Sequence, residues 1–146
     1  MTNIQRSALV PYSAQAMYQL VNDIEAYPQF MDGCVGATVL DRSNDSVEAR
    51  LDLAKGGIRY SFTTHNQLLP PDRIELTLIE GPFESFRGAW TFQALNEHAC
   101  KIALQLQFEM SGRLFNFAAR KMFDGIANQM VDALVKRAHQ LYGVTR

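Results

Sequence analysis

Apolar and polar residues alternate strictly in two stretches of the chain. Between 47 and 54, Val47, Ala49, Leu51 and Leu53 share one face, while Glu48, Arg50 and Asp52 share the other. Between 100 and 110, Cys100, Ile102, Leu104, Leu106, Phe108 and Met110 oppose Lys101, Gln105, Gln107 and Glu109. A period of two with one wet face predicts antiparallel strands covered on one side only. Six strand-like segments follow Gly33, separated by Ser43-Asn44-Asp45, Gly56-Gly57, Pro70-Pro71-Asp72, Gly81-Pro82 and Asn96-Glu97-His98. These separators are hairpin length and carry turn-forming residues, so consecutive strands are expected to pair as a meander. Ahead of them, residues 2–10 read as a first strand that Pro11 stops. Ser13 is the expected N-cap of a helix through Asp23, with Ala16, Met17, Leu20, Val21 and Ile24 at helical spacing. A second short helical turn spans Glu25 to Phe30, interrupted at Pro28.

The closing segment changes period. Between Ser111, an N-cap candidate, and Gly143, a C′ candidate, about 30 residues read as one helix. At about 100° per residue, Phe115, Ala119, Met122, Phe123, Ile126, Met130, Ala133, Leu134 and Leu141 fall in one broad stripe. Arg113, Arg120, Lys121, Asp124, Asn128, Asp132, Lys136 and His139 fall opposite. At 1.5 Å per residue the helix is about 45 Å long, more than a flat sheet of short strands covers. A strongly curved sheet wrapped around it covers the stripe. The expected fold is therefore α+β: a helix-grip architecture in which a curved antiparallel sheet of about seven strands grips a long C-terminal helix. Two short helices follow strand 1, and residues 1–146 form a single domain. Such a grip often leaves room for an apolar ligand.

Composition narrows the function classes. With 47% hydrophobic and 20% charged residues the chain is an ordinary globular one, which excludes a disordered tail and a collagen. Its 14 Lys+Arg and 15 Asp+Glu give a net charge of −1, which excludes a highly basic nucleic-acid coat and makes DNA an unexpected partner. The charge is divided unevenly. Up to Ser111 there are eight basic and thirteen acidic residues (−5), and from Gly112 there are six basic and two acidic (+4). Arg113, Arg120, Lys121 and Lys136 thus form a cationic docking face on the last helix, suited to phosphates or an anionic membrane surface. Cys34 and Cys100 have no metal-type spacing and read as two small buried hydrophobes in a reducing compartment. Polar residues interrupt the first twenty positions and no apolar run reaches about 18 residues, so neither a signal peptide nor a membrane span is expected. The expected location is cytoplasmic, with contact at the periphery of the inner membrane if the basic face docks there.

The run Val10-Pro11-Tyr12-Ser13-Ala14, then Met17-Tyr18, Leu20-Val21-Asn22-Asp23-Ile24, Tyr27-Pro28, Phe30 and Gly33-Cys34, closely resembles the RatA-type proteins of bacteria. Gly81-Pro82-Phe83, Trp90-x-Phe92, Phe108-Glu109, Met130-Val131 and Arg137-Ala138 extend the resemblance over nearly the whole chain. These proteins group with the mitochondrial coenzyme Q-binding proteins in the START-like polyketide cyclase and lipid-transport superfamily. Asp32 is a departure, since many relatives carry proline there. The resemblance implies one of three functions. The coenzyme Q-binding relatives hold ubiquinone in the grip cavity and support respiration without catalysis. The RatA role is that of a ribosome-association toxin, which binds the large ribosomal subunit and blocks subunit joining. The superfamily also contains polyketide cyclases and dehydratases, so membership alone does not separate carrier from enzyme.

The residues favour a carrier. His65, His98 and His139 show no metal spacing, and there is no nucleophile elbow, phosphate loop or dinucleotide fingerprint. His98 falls in a turn and His139 on the polar helix face. His65 shares a polar strand face with Arg59, Ser61, Thr63 and Gln67, so no catalytic residue is assigned. Phe86, Trp90 and Phe92 share a strand face with Gly88 leaving a gap, and Met122, Phe123, Ile126 and Met130 can face them from the helix. With the resemblance, these seven are the expected cavity lining for a quinone or polyprenyl lipid. Arg137 falls near the centre of the averaged apolar stripe. It either snorkels out where the helix overhangs the sheet or binds a polar head group at the cavity mouth. No cofactor is required beyond the bound ubiquinone-like lipid.

Overall fold

The computed structural model describes residues 2–112 and 117–143. Strand β1 (Thr2–Val10) leads into helix α1 (Ala14–Asn22), whose N-cap Ser13 accepts a hydrogen bond from the Ala16 N–H at 3.1 Å. A 3₁₀ helix, Ile24–Gln29, follows and contains Pro28. Then come β2 (Cys34–Arg42), β3 (Ser46–Lys55), β4 (Ile58–Leu69), β5 (Arg73–Glu80), β6 (Phe83–Asn96), β7 (Ala99–Met110) and α2 (Phe117–Tyr142). Each expected turn sits between two strands. The sheet order is β1-β7-β6-β5-β4-β3-β2, antiparallel at every pairing, with β1 and β2 as its edges. Register shifts interrupt β2–β3, β4–β5 and β6–β7, and bulges of this kind bend a sheet.

The alternation works as expected. Cys100, Ile102, Leu104, Leu106, Phe108 and Met110 are all buried, and Lys101, Gln105 and Glu109 exposed. Thr63 departs from the wet face expected for it: it is buried at the β4–β5 register shift. Between sheet and helix lies a phenyl cluster. Phe123 of α2 has ring centroids 4.7 Å from Phe108, 5.1 Å from Phe83, 5.8 Å from Phe62 and 6.2 Å from Phe86. Cys34 and Cys100 are free and buried.

Helix α2 does not present one fixed face along its length. Its early buried residues are Ala119, Met122, Phe123 and Ile126, and its later ones Ala127, Val131, Leu134 and Ala138. On a helical wheel the two groups are centred about 100° apart. The helix crosses the sheet obliquely, beginning over the phenyl cluster and ending against β1 and α1. There Arg6 Nε donates to Asn128 Oδ1 at 2.9 Å and the Tyr12 hydroxyl meets His139 Nδ1 at 2.6 Å. The expected start of the helix borders residues 113–116, so Arg113 and Phe115 lie outside the described residues. Ser111 still belongs to the sheet end, its N–H donating to Pro82 O at 2.9 Å. Gly143 ends the helix through an N–H bond to His139 O at 3.0 Å and without a left-handed φ. No helix among the described residues is long and apolar enough to cross a membrane.

Candidate functional site

Between the inner face of the sheet and the first half of α2 lies a cavity of about 60 Å³. Strands β3 to β5 line it with Ala49, Leu51, Leu53, Phe62, Ile74 and Leu76. Strands β6 and β7 add Phe86, Trp90, Leu104 and Leu106, and α2 covers it with Phe123, Ile126, Ala127 and Met130. The remaining wall is Val21 and Asn22 at the end of α1, Ile24 and Tyr27 of the 3₁₀ helix, then Met31 and Cys34. Local bonds set this wall: the Tyr27 hydroxyl donates to Val21 O, and the Met31 N–H donates to Tyr27 O at 2.9 Å. Gly33 then turns with φ +91°, and a Cβ there would stand 2.6 Å from Ile126 Cδ1. Glycine therefore permits both the backbone turn and the close seating of this loop on α2.

The lining is almost wholly apolar. Among the described residues no Asp, Glu, Lys, Arg or His borders the cavity. Two side-chain amides and one aliphatic hydroxyl do: Asn22, Asn66 and Thr64. Thr64 Oγ1 donates to Asn66 Oδ1 at 2.7 Å, and Asn22 Oδ1 is buried with no partner. Two titratable groups, Tyr27 and Cys34, also face the space. Burial pushes the Tyr27 phenol far above its ordinary value and the Cys34 thiol upward as well, so both remain protonated at neutral pH. Neither is placed to act as a general base. An unpaired anion inside would cost several kcal/mol, so the space suits a neutral, mostly apolar guest. Its size is that of about two waters and well below the ~150 Å³ that accepts benzene. A ring-sized guest therefore requires side chains to move, and the flexible Met31 and Met130 are in the wall to do so.

Of the residues expected to line the cavity, Phe86, Trp90, Phe123, Ile126 and Met130 do so. Three do not. Phe92 lies on the same strand face but further along β6, where α1 covers it and Tyr18 packs edge-on at 5.5 Å. Met122 is buried on a flank of the helix, about 100° round from Phe123. Arg137 is half-buried outside the cavity because the buried face of α2 has rotated by that point. Its guanidinium donates to Gln29 Oε1 at 3.2 Å and lies 5.3 Å over the Phe30 ring, while its Nε is buried without a partner. It ties α2 to the 3₁₀ segment.

Arg120, Lys121 and Lys136 are exposed on α2, as the wheel predicts. They do not form one compact patch: Lys121 sits 5.4 Å over the Phe117 ring, and Lys136 lies about 24 Å along the helix from Arg120. Arg120 and Lys121 border a groove that also carries Glu84, Glu109 and Asp124. His65 stays on the outer face, 3.9 Å from Glu48, and borders no enclosed space.

Sequence reasoning missed Asn22, Thr64 and Asn66. A signal for the last two was present: they share strand parity with Tyr60, Phe62 and Leu68, all buried on the inner face of β4.

Comparison with known proteins agrees with this architecture. The family model for polyketide cyclase / dehydrase and lipid transport matches residues 10–135. The Pseudomonas aeruginosa protein named ribosome association toxin RatA is 47% identical over 142 residues, covering 97% of this chain and 99% of its own length. The mitochondrial coenzyme Q-binding protein COQ10 of Drosophila melanogaster is 25% identical over 142 residues, covering 94% of this chain and 59% of its own. Among solved structures, the Zhui aromatase/cyclase of a Streptomyces species superposes with a TM-score of 0.80 at 17% identity, over 95% of this chain and 94% of that one. A START superfamily protein of Mycobacterium smegmatis gives 0.78 at 23% identity, over 95% and 98%. Both structural likenesses speak to the fold.

Proposed function

The chain belongs to the polyketide cyclase / dehydrase and lipid transport family, and from that premise we propose that it is a non-enzymatic carrier of a hydrophobic ligand, ubiquinone or a related polyprenyl lipid, in support of respiration. The observation that carries this reading is the cavity under α2, apolar but for the side chains of Asn22, Tyr27, Cys34, Thr64 and Asn66, with no charged group in its described lining. A quinone ring gains by stacking on Trp90 or Phe86, and an isoprenoid tail by burial at about 25 cal/mol per Å² of apolar area. The name of the Drosophila relative supports the ligand class. The protonated state of Tyr27 and Cys34 and the absence of a carboxylate or imidazole in the described lining weigh against a cyclase or dehydratase. In this reading the protein works in the cytoplasm and takes up its lipid at the inner membrane surface. Organic extraction of the purified protein followed by mass spectrometry tests it. A stoichiometric quinone or polyprenyl lipid is expected, whereas protein that neither carries nor can be loaded with quinone contradicts the reading.

A second reading rests on a separate observation, the name ribosome association toxin carried by relatives 43–47% identical over 97–98% of this chain. In it the exposed Arg120, Lys121 and Lys136 dock on the phosphates of the large ribosomal subunit. Co-sedimentation with large subunits is then expected at low salt and falls as salt rises. Reversing all three charges (Arg120→Glu, Lys121→Glu, Lys136→Glu) should lower it at least tenfold. Undiminished co-sedimentation of this triple variant moves the contact off α2, and none by the wild type at low salt removes the reading.

A further inference from the structure

We infer that Asn22, Thr64 and Asn66 form a head-group subsite for a neutral carbonyl or hydroxyl function, which orients the guest within the cavity; this rests on the hydrophobic-ligand reading above. The three side chains come from two elements, α1 and β4, yet line one space. Thr64 and Asn66 are both buried on the inner face of β4, a position that favours apolar residues unless the polar groups have partners. They satisfy each other only in part. Thr64 Oγ1 donates to Asn66 Oδ1, and no protein group among the described residues accepts from the Asn66 amide nitrogen. The Asn22 side-chain oxygen, which lines the same cavity from the end of α1, is buried and unpartnered. The site thus offers an amide N–H donor from Asn66 and an acceptor from Asn22, with no ionised group beside them. That combination suits a ketone, quinone carbonyl or alcohol and rejects a carboxylate or phosphate, whose charge would stay unpaired.

The arrangement also gives the guest a direction. Phe62 precedes Asn66 by four residues on β4, about 13 Å along the strand. Phe62 belongs to the phenyl cluster with Phe83, Phe86 and Phe123. The polar end of a guest therefore lies toward the β4–β5 turn and the end of α1, and its apolar part toward the phenyl rings.

The test compares three naphthalenes by equilibrium dialysis: 2-acetylnaphthalene, 2-isopropenylnaphthalene, which has the same shape with CH₂ in place of the carbonyl oxygen, and 2-naphthoate. The wild type is expected to bind the ketone about tenfold more tightly than the hydrocarbon, and the carboxylate more weakly than either. Asn66→Leu and, separately, Asn22→Leu should reduce the ketone preference to threefold or less while hydrocarbon binding persists, which also shows that the variants fold. A wild type that binds ketone and hydrocarbon equally, or variants that keep the full preference, overturn the subsite but leave the carrier reading standing. A wild type that binds none of the three overturns both.

Discussion

Phe123→Ala is expected to destabilise the protein by about 3–5 kcal/mol, the range for removing a large aromatic from a packed core. The upper part of that range is expected because Phe123 touches four other rings, from β4, β6 and β7, and is 3% exposed. The neighbouring rings are held away from the gap, since Phe62, Phe83 and Phe86 already pack on one another at 5.1–5.5 Å. The substitution also opens the cavity that Phe123 borders, so the void left behind is larger than the ring removed. Denaturant unfolding measures the loss. A change below about 1 kcal/mol would mean that α2 is not seated on the phenyl cluster.

Ala49→Leu should do the opposite: leave stability nearly unchanged and abolish ligand binding. Ala49 lines the cavity from β3 and is 3% exposed, directly across from Thr64 in the strand pairing. An isobutyl group in place of its methyl occupies space that is already empty, so the usual overpacking cost of about 1–3 kcal/mol is offset by new contacts. The same group fills the volume a guest would use and covers the Thr64–Asn66 pair. Quinone retained with the protein on gel filtration should fall to background, while the denaturation midpoint shifts little. Unimpaired retention would place the ligand outside this cavity.

Much of the fold was legible because its determinants are local. The alternation of β7 survives in the structure residue by residue and that of β3 up to Arg50, the turns at 43–45, 56–57, 70–72 and 81–82 carry Gly, Pro, Asn, Asp or Ser, and Asn96 precedes the turn at 97–98. The long helix was legible from its period, and its mismatch with a flat sheet pointed to the grip. Helix α2, by contrast, has no constant buried face. Averaged over the helix, Arg137 falls at the centre of the apolar stripe, but the buried side has turned by about 100° before that position. The crossing angle that causes this is set by tertiary packing on β1 and α1, and its trace in the sequence is the second apolar series Ala127, Val131, Leu134 and Ala138. Met122 and Phe92 fail for related reasons: facing the core is not the same as facing the empty part of it. Thr64 and Asn66 carry no motif that marks them, although strand parity with Tyr60, Phe62 and Leu68 assigns them to the inner side.

The division of charge between sheet and helix also takes a more definite form. Arg120, Lys121 and Lys136 of α2 are exposed, Arg137 is half-buried against the 3₁₀ segment, and the cavity beneath meets none of them. The proposed docking and ligand-binding surfaces therefore lie on opposite sides of the same helix, and variants of one should leave the other intact.

The proposed carrier function requires that this cavity accept a quinone. Trp90 is the only tryptophan in the chain, is 2% exposed and lines the cavity, so its fluorescence reports occupancy. Titration with a short-tailed ubiquinone is predicted to quench it to a saturating plateau at about one equivalent, with no plateau in Ala49→Leu. Quenching that rises without saturation, equally in both proteins, would contradict the account.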